Sequence, residues 1–178
     1  MGMLDRLLGE KARKKEDVGK QQSDNDKALA RAALYGKVET VCSLLDAGAN
    51  INARTIISGW TPLMAAASEG KTAVVQILLD RGADINAQSP GGGTALMVAA
   101  KNGQGGTSQV LLDRGADANQ RTPDGDSALA AAAAFGRLQI VRLLLSRGAK
   151  DDGGALRAAT HLGHKEIVEL LSETRSPA

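Results

Sequence analysis

Few residues in this chain are suited to chemistry. His161 and His164 stand three apart, Asp84 and Asp117 recur at one repeat length, Cys42 is the single thiol, and Gly91-Gly92-Gly93 precedes Thr94. Two histidines at that spacing could share a helix face and ligate zinc. Gly163 separates them, however, and no cysteine or acidic cluster completes a tetrahedral set. Asp84 and Asp117 supply one carboxylate per segment with no converging second ligand, short of the oxygen cage that calcium requires. The triple glycine lacks the Lys-Ser or Lys-Thr of a phosphate-binding loop and reads as a turn. No Ser-His-Asp or Cys-His arrangement is apparent. No catalytic residue, metal site or cofactor is therefore expected. Arg81, Arg114 and Arg147 occupy equivalent positions and could meet phosphates or an acidic partner. Each falls in the last turn of a helix, where a cation complements the dipole, beside Asp80 or Asp113 in two cases, so a structural role is expected.

The elements that carry these residues repeat. Leu44-Leu45-Asp46-Ala47-Gly48-Ala49 recurs as Leu78 to Ala83, Leu111 to Ala116 and Leu144 to Ala149, with the glycines 34, 33 and 33 residues apart. A fixed period in this range signals stacked supersecondary units. Such a stack offers a long surface without a deep central cleft, so binding is expected and catalysis is not. A second ladder of glycines, Gly36, Gly70, Gly103, Gly136 and Gly163, falls inside the units. An alanine-rich stretch precedes each one. An apolar pattern at helical spacing follows, as in Val74, Val75, Ile77, Leu78 and Leu79. Each unit therefore reads as a short helix, a glycine turn and a second amphipathic helix stopped by a C-cap glycine. Thr61-Pro62-Leu63 places a hydroxyl N-cap before a first-turn proline, and Thr94 and Ser127 repeat the hydroxyl. Segments such as Ser89-Pro90-Gly91-Gly92 suit hairpin-like fingers. With only Tyr35, Trp60 and Phe135 aromatic, the core must be built from Ala, Leu, Val and Ile.

Gly59-Trp60-Thr61-Pro62-Leu63-Met64-Ala65-Ala66 through Leu78-Leu79-Asp80-Arg81-Gly82-Ala83-Asp84-Ile85-Asn86-Ala87 resembles an ankyrin repeat. The resemblance covers about residues 26–173, in five units. It implies an all-α solenoid of L-shaped helix-turn-helix units with a concave helix face and projecting β-hairpin-like fingers, acting as a protein-binding module without activity of its own. Met64, Met97 and Ala130 replace the histidine of the family's Thr-Pro-Leu-His phrase, so the inter-repeat hydrogen bonding it usually supplies is not expected. The first unit has no Thr-Pro, and Asp26 is expected to cap its helix. The last finger is cut down to Lys150-Asp151-Asp152-Gly153, so both ends are expected to be caps and the array complete. In the third unit Gly103-Gln104-Gly105-Gly106-Thr107-Ser108 stands where the second helix should begin. Ser108 takes a valine's place, and this helix is expected to start late and open first. In the family, contacts come from finger tips and from the exposed end of the first helix. On aligned positions the resemblance implies Trp60, Ile56, Ile57, Tyr35, Phe135 and Arg121 as partner-binding residues. Trp60 with the two isoleucines would form an apolar spot on a solvent-facing tip. The plainer alternative is that Tyr35 and Phe135 only pack against the next loop.

Residues 1–23 stand outside the repeat, with 24–178 as the repeat domain in units at about 26–55, 59–89, 92–122, 125–152 and 153–175. In this leader Met3, Leu4, Leu7 and Leu8 share one helical face, followed by Lys11, Arg13, Lys14 and Lys15. An apolar face beside a basic cluster could rest on an anionic membrane or dock in a partner's groove. Folding back as a cap, or disorder, would also account for it. Arg6 stands where myristoylation at Gly2 would need Ser or Thr. No apolar run approaches the roughly 20 residues of a membrane span. Asp5 and Arg6 interrupt the run a secretory signal needs. A cytoplasmic monomer is expected, with contact at the inner membrane face through residues 1–15 as an option. A net charge of +2 is too small to argue for nucleic acid. The expected function is a non-enzymatic adaptor holding a protein partner. The alternative is a regulatory, immunity-type inhibitor that covers a partner enzyme's active site.

Overall fold

The computed structural model describes residues 23–55 and 58–175. They form ten helices and no strand: α1 (residues 23–34), α2 (Val38–Asp46), α3 (Pro62–Ser68), α4 (Thr72–Asp80), α5 (Ala95–Asn102), α6 (Gly105–Asp113), α7 (Ala128–Ala134), α8 (Leu138–Ser146), α9 (Gly154–Leu162) and α10 (Lys165–Arg175). Helices α3, α5, α7 and α9 pack one on the next in a row, and α2, α4, α6, α8 and α10 form a second row behind it. The core follows the stack from Leu29 and Val41 to Ile167 and Leu171 instead of gathering at one centre.

Sequence explains the stacking. The first-row helices bury Ala33, Ala66, Ala67, Ala99, Ala100, Ala132 and Ala133 completely, and these small side chains let neighbouring helices approach closely. Larger plugs fill the space behind them: Leu29, Leu63, Leu96 and Leu129 from the first row, Leu78, Leu111, Leu144 and Leu171 from the second. Burying each contributes roughly 1.5–3 kcal/mol. The fifth unit departs from this pattern. Thr160 is exposed at the position of buried Ala133, since no described helix packs on that side of α9.

The hydroxyl caps form. Thr61, Thr94 and Ser127 accept from the backbone N–H of Met64 (3.3 Å), Met97 (3.3 Å) and Ala130 (3.1 Å). Two expectations are corrected. Asp26 does not cap α1, because the helix already includes Ser23. Its carboxylate instead accepts the N–H of Asn50 at 2.7 Å. Nor does α6 start late: Gly105 is its first residue, 33 after the start of α4 and 33 before that of α8. Packing against α4 and α8 overrides two unfavourable glycines, and the Thr72 and Thr107 hydroxyls meet at 2.8 Å across the α4–α6 seam.

Hydrogen bonds between units come from residues other than the family histidine. Asn52, Asn86 and Asn119 accept the backbone N–H of Asp84, Asp117 and Lys150 in the following unit, each at 2.9 Å. Just after the glycine turn, Gln104, Arg137 and His164 reach back to the carbonyls of Ser68, Lys101 and Ala134 at 3.2, 3.2 and 3.1 Å. These carbonyls lie at the ends of first-row helices, where intrahelical partners run out, and that of Ser68 also accepts from the Asn102 amide at 2.9 Å. The reach explains the glycine beneath it. At Gly70, φ is +64° and a Cβ would collide with Gln104 Oε1.

The fingers are hairpin-shaped, but among the described residues their only ladder pairing is an isolated bridge between Arg121 and Ser127. A hydroxyl pins each turn instead. Thr55, Ser89 and Thr122 accept the N–H of Trp60, Gly93 and Asp126 at 3.1, 3.1 and 3.0 Å. The first finger closes over one residue more than the other two.

Candidate functional site

The C-terminal ends of α1 and α7 hold equivalent aromatics, Tyr35 and Phe135, exposed by 63% and 49%. Solvation of such rings is costly, and each walls a concavity floored by alanines. Around Tyr35 the concavity measures about 680 Å³. Ala30 and Ala65 line its floor, Leu34, Tyr35 and Trp60 its walls, and Lys27, Arg31, Thr55 and Ser58 complete the lining. Almost all of its lining is apolar.

Trp60 is not on a solvent-facing tip. It ends the first finger directly before the Thr61 cap, half-buried and packed against the core. Its backbone ties the finger shut, accepting from Thr55 N at 3.0 Å and donating to Thr55 Oγ1 at 3.1 Å. The structure thus brings Tyr35 and Trp60, 25 positions apart in sequence, into one groove. Ile56 and Ile57 lie outside the described residues, as do Met3, Leu4, Leu7, Leu8, Lys11, Arg13, Lys14 and Lys15 of the leader.

Phe135 borders a second concavity of about 510 Å³ three units away, floored by Ala130, Ala131, Ala134 and Ala158. Lys101 Nζ lies 5.0 Å from its ring centroid, a cation–π contact. The rim is of mixed sign, with Asp124 and Asp126 facing Lys101 and Arg157.

Arg121 is engaged within the array. Its guanidinium donates to Gly125 O at 2.9 Å and to Asp152 at 2.6 Å, joining the third finger to the last unit. The Gly154 N–H first, and then Arg121, hold the Asp152 carboxyl below its ordinary value.

The arginine column has a structural role, with different partners from the neighbouring aspartates and helix dipole. Arg81, Arg114 and Arg147 pair with Asp46, Asp80 and Asp113 of the preceding unit at 2.8, 2.7 and 2.7 Å. The ladder stops where its letters stop: Ala47 takes the arginine's place in the first unit and Ser146 the aspartate's in the fourth. At Asp113 the Gln109 amide, followed by Arg147, lowers the carboxyl's pKa.

His164 is occupied by the Ala134 carbonyl, and Asp84 and Asp117 accept the N–H two residues on, at 3.0 and 2.8 Å. Among the described residues no three His, Cys, Asp or Glu side chains are placed to hold a metal ion. Cys42 is a half-buried free thiol. None of the described helices is long and apolar enough to cross a membrane.

Lys27 and Arg31, which border the Tyr35 groove, were not singled out by sequence reasoning. Their signal was a departure from the repeat: Lys27 stands where later units have the Thr61, Thr94 and Ser127 caps, and Arg31 where they have Ala65, Val98 and Ala131. Along the first-row helices Lys27, Arg31, Lys101 and Arg157 are exposed cations, and Asp24 and Glu69 are exposed anions. The family model for ankyrin repeats (3 copies) matches residues 2–89, 29–122 and 96–177. No curated protein matches the chain.

Proposed function

Because this chain belongs to the ankyrin-repeat family, whose members typically act as non-enzymatic protein-interaction modules, we propose that it is an adaptor gripping one protein partner along its concave face and fingers. The leader at residues 1–23 adds a second contact, to an anionic membrane or to another protein, and residues 24–178 form the recognition array. One observation carries the reading: two alanine-floored concavities, each walled by an exposed aromatic, open on the same side of a stack whose units are bonded to each other. Exposed aromatics beside apolar hollows are the usual anchors of protein interfaces. The bonded ladders behind them fix the spacing of the two hollows, which limits the ordering cost of binding.

The test is affinity capture with the full chain against a Tyr35→Ala, Phe135→Ala double variant, followed by reconstitution with the purified partner. A one-to-one complex weakened by the double substitution supports the reading. A complex indifferent to both substitutions refutes it. Assaying the partner's own activity in the complex separates an adaptor from an inhibitor. Flotation with anionic liposomes, comparing the intact chain with one lacking residues 1–15, tests the leader.

A further inference from the structure

The Tyr35–Trp60 groove has a one-signed rim. No Asp or Glu lines it. Lys27 is held at 3.4 Å by Asp24, whereas Arg31, exposed on α1, has no carboxylate in ion-pair reach among the described residues. Beside these cations the exposed lining is almost wholly apolar, and a concavity of about 680 Å³ has room for a large side chain. We infer that this groove takes a bulky apolar side chain from an acidic stretch of a protein partner, with a carboxylate of that stretch on Arg31. The inference rests on the concave-face reading proposed above and names the chemistry of what that face selects. An exposed ion pair adds little affinity but discriminates charge sign, while the apolar anchor supplies the binding energy.

Charge argues against two other occupants. The leader residues 1–22 carry Arg6, Lys11, Arg13, Lys14, Lys15 and Lys20 against Asp5, Glu10, Glu16 and Asp17, so they share the sign of the rim. A second copy of the chain would oppose its own first-row helices, where exposed Lys27, Arg31, Lys101 and Arg157 outnumber Asp24 and Glu69. The Phe135 groove has acidic and basic groups together and selects no single sign.

The test uses a displayed library of random seven-residue peptides selected on the full chain. Fully extended, such a peptide spans at most roughly 23–25 Å. The two grooves are three units apart, or roughly 24–30 Å at the usual helix spacing, so a peptide could bridge them only when almost fully extended, and Phe135→Ala identifies any that does. The expected sequences place Leu, Ile or Phe within two residues of Asp or Glu. A synthetic tryptophan-free binder should then shift the emission of Trp60, the chain's single tryptophan. Arg31→Glu should weaken binding by at least about tenfold, and Arg31→Gln by less. Tyr35→Ala should weaken it as well, and Phe135→Ala should leave it unchanged. Arg31 and Tyr35 are both exposed, so these variants should keep the native circular dichroism. Neutral or basic flanks, or indifference to Arg31→Glu, overturn the inference. Binders that depend on Phe135 or the finger tips overturn it while leaving the concave-face reading standing. Binders insensitive to every concave-face variant overturn both. Tighter binding after deletion of residues 1–15 would assign the groove to the chain's own leader.

Discussion

Ser108 is the sharpest place to perturb this array. It is 0% exposed in the middle of α6, at the position filled by Val41, Val75 and Val141 in other units, all three equally buried. Its hydroxyl has no hydrogen-bond partner. Leaving such a group unpaired costs about 1–3 kcal/mol, and Ser108→Ala removes it without adding volume. Ser108→Val also buries one further methyl, worth about 0.8 kcal/mol. Serine and valine have similar helix propensities, so the backbone is indifferent. Overpacking costs about 1–3 kcal/mol where a core cannot accommodate a larger group. The same backbone register accepts valine one unit before and one unit after, so that cost should be at its lower end or absent. The expected net gain is about 1–2 kcal/mol for either variant. This corresponds to roughly 2–8 °C in Tm for a chain of this size. Urea unfolding of the full chain reads the gain as a higher midpoint at unchanged slope. Amide exchange should localise the effect: residues 104–110 exchange faster than 137–143 in the native chain, and the gap narrows in the variants. Neutral or destabilising outcomes for both Ser108→Ala and Ser108→Val would refute the account of this seam.

Three further predictions follow from the ladders. Asn86→Ala removes the exposed bond to the N–H of Asp117 and should cost about 0.5–1.5 kcal/mol in urea unfolding; no loss would mean that water fully replaces the bond. Gly70→Ala should destabilise more than Gly82→Ala. Both have positive φ, at +64° and +87°, but a Cβ meets Gln104 at Gly70 and nothing within 4 Å at Gly82; equal thermal shifts would contradict this. Asp113 and Asp152 have folded pKa values below the ordinary 3.8, so their stabilisation is present above that value and lost as pH falls through the depressed folded values. Acid titration of the unfolding midpoint should show a loss below about pH 4. Arg147→Gln and Arg121→Gln should each flatten it.

Much of the architecture was legible because a repeat writes its boundaries several times. The recurring Leu-Leu-x-x-Gly-Ala phrase and the hydroxyl caps located the unit edges, since both do local backbone work that few other residues can do. Local signals misled at α6, where Gly105 and Gly106 argue against a helix that packing from both neighbours imposes. They misled also at Asp26, whose partner lies 24 residues away in the next turn of chain. The arginine column was read against sequence neighbours, whereas its partners lie one unit back, a relation visible only when the period is treated as a contact map. The candidate site was legible in part. Tyr35 and Trp60 were recognisable singly, but their meeting depends on how the first finger folds onto α1. The cations beside them became significant only once that groove existed.

The most direct measurement is hydrogen–deuterium exchange of the full chain with and without its purified partner. The account predicts new protection over residues 27–35 and 58–65, with the second-row helices α4, α6 and α8 unchanged. Protection confined to those second-row helices, with residues 27–35 exchanging as in the free chain, would contradict it.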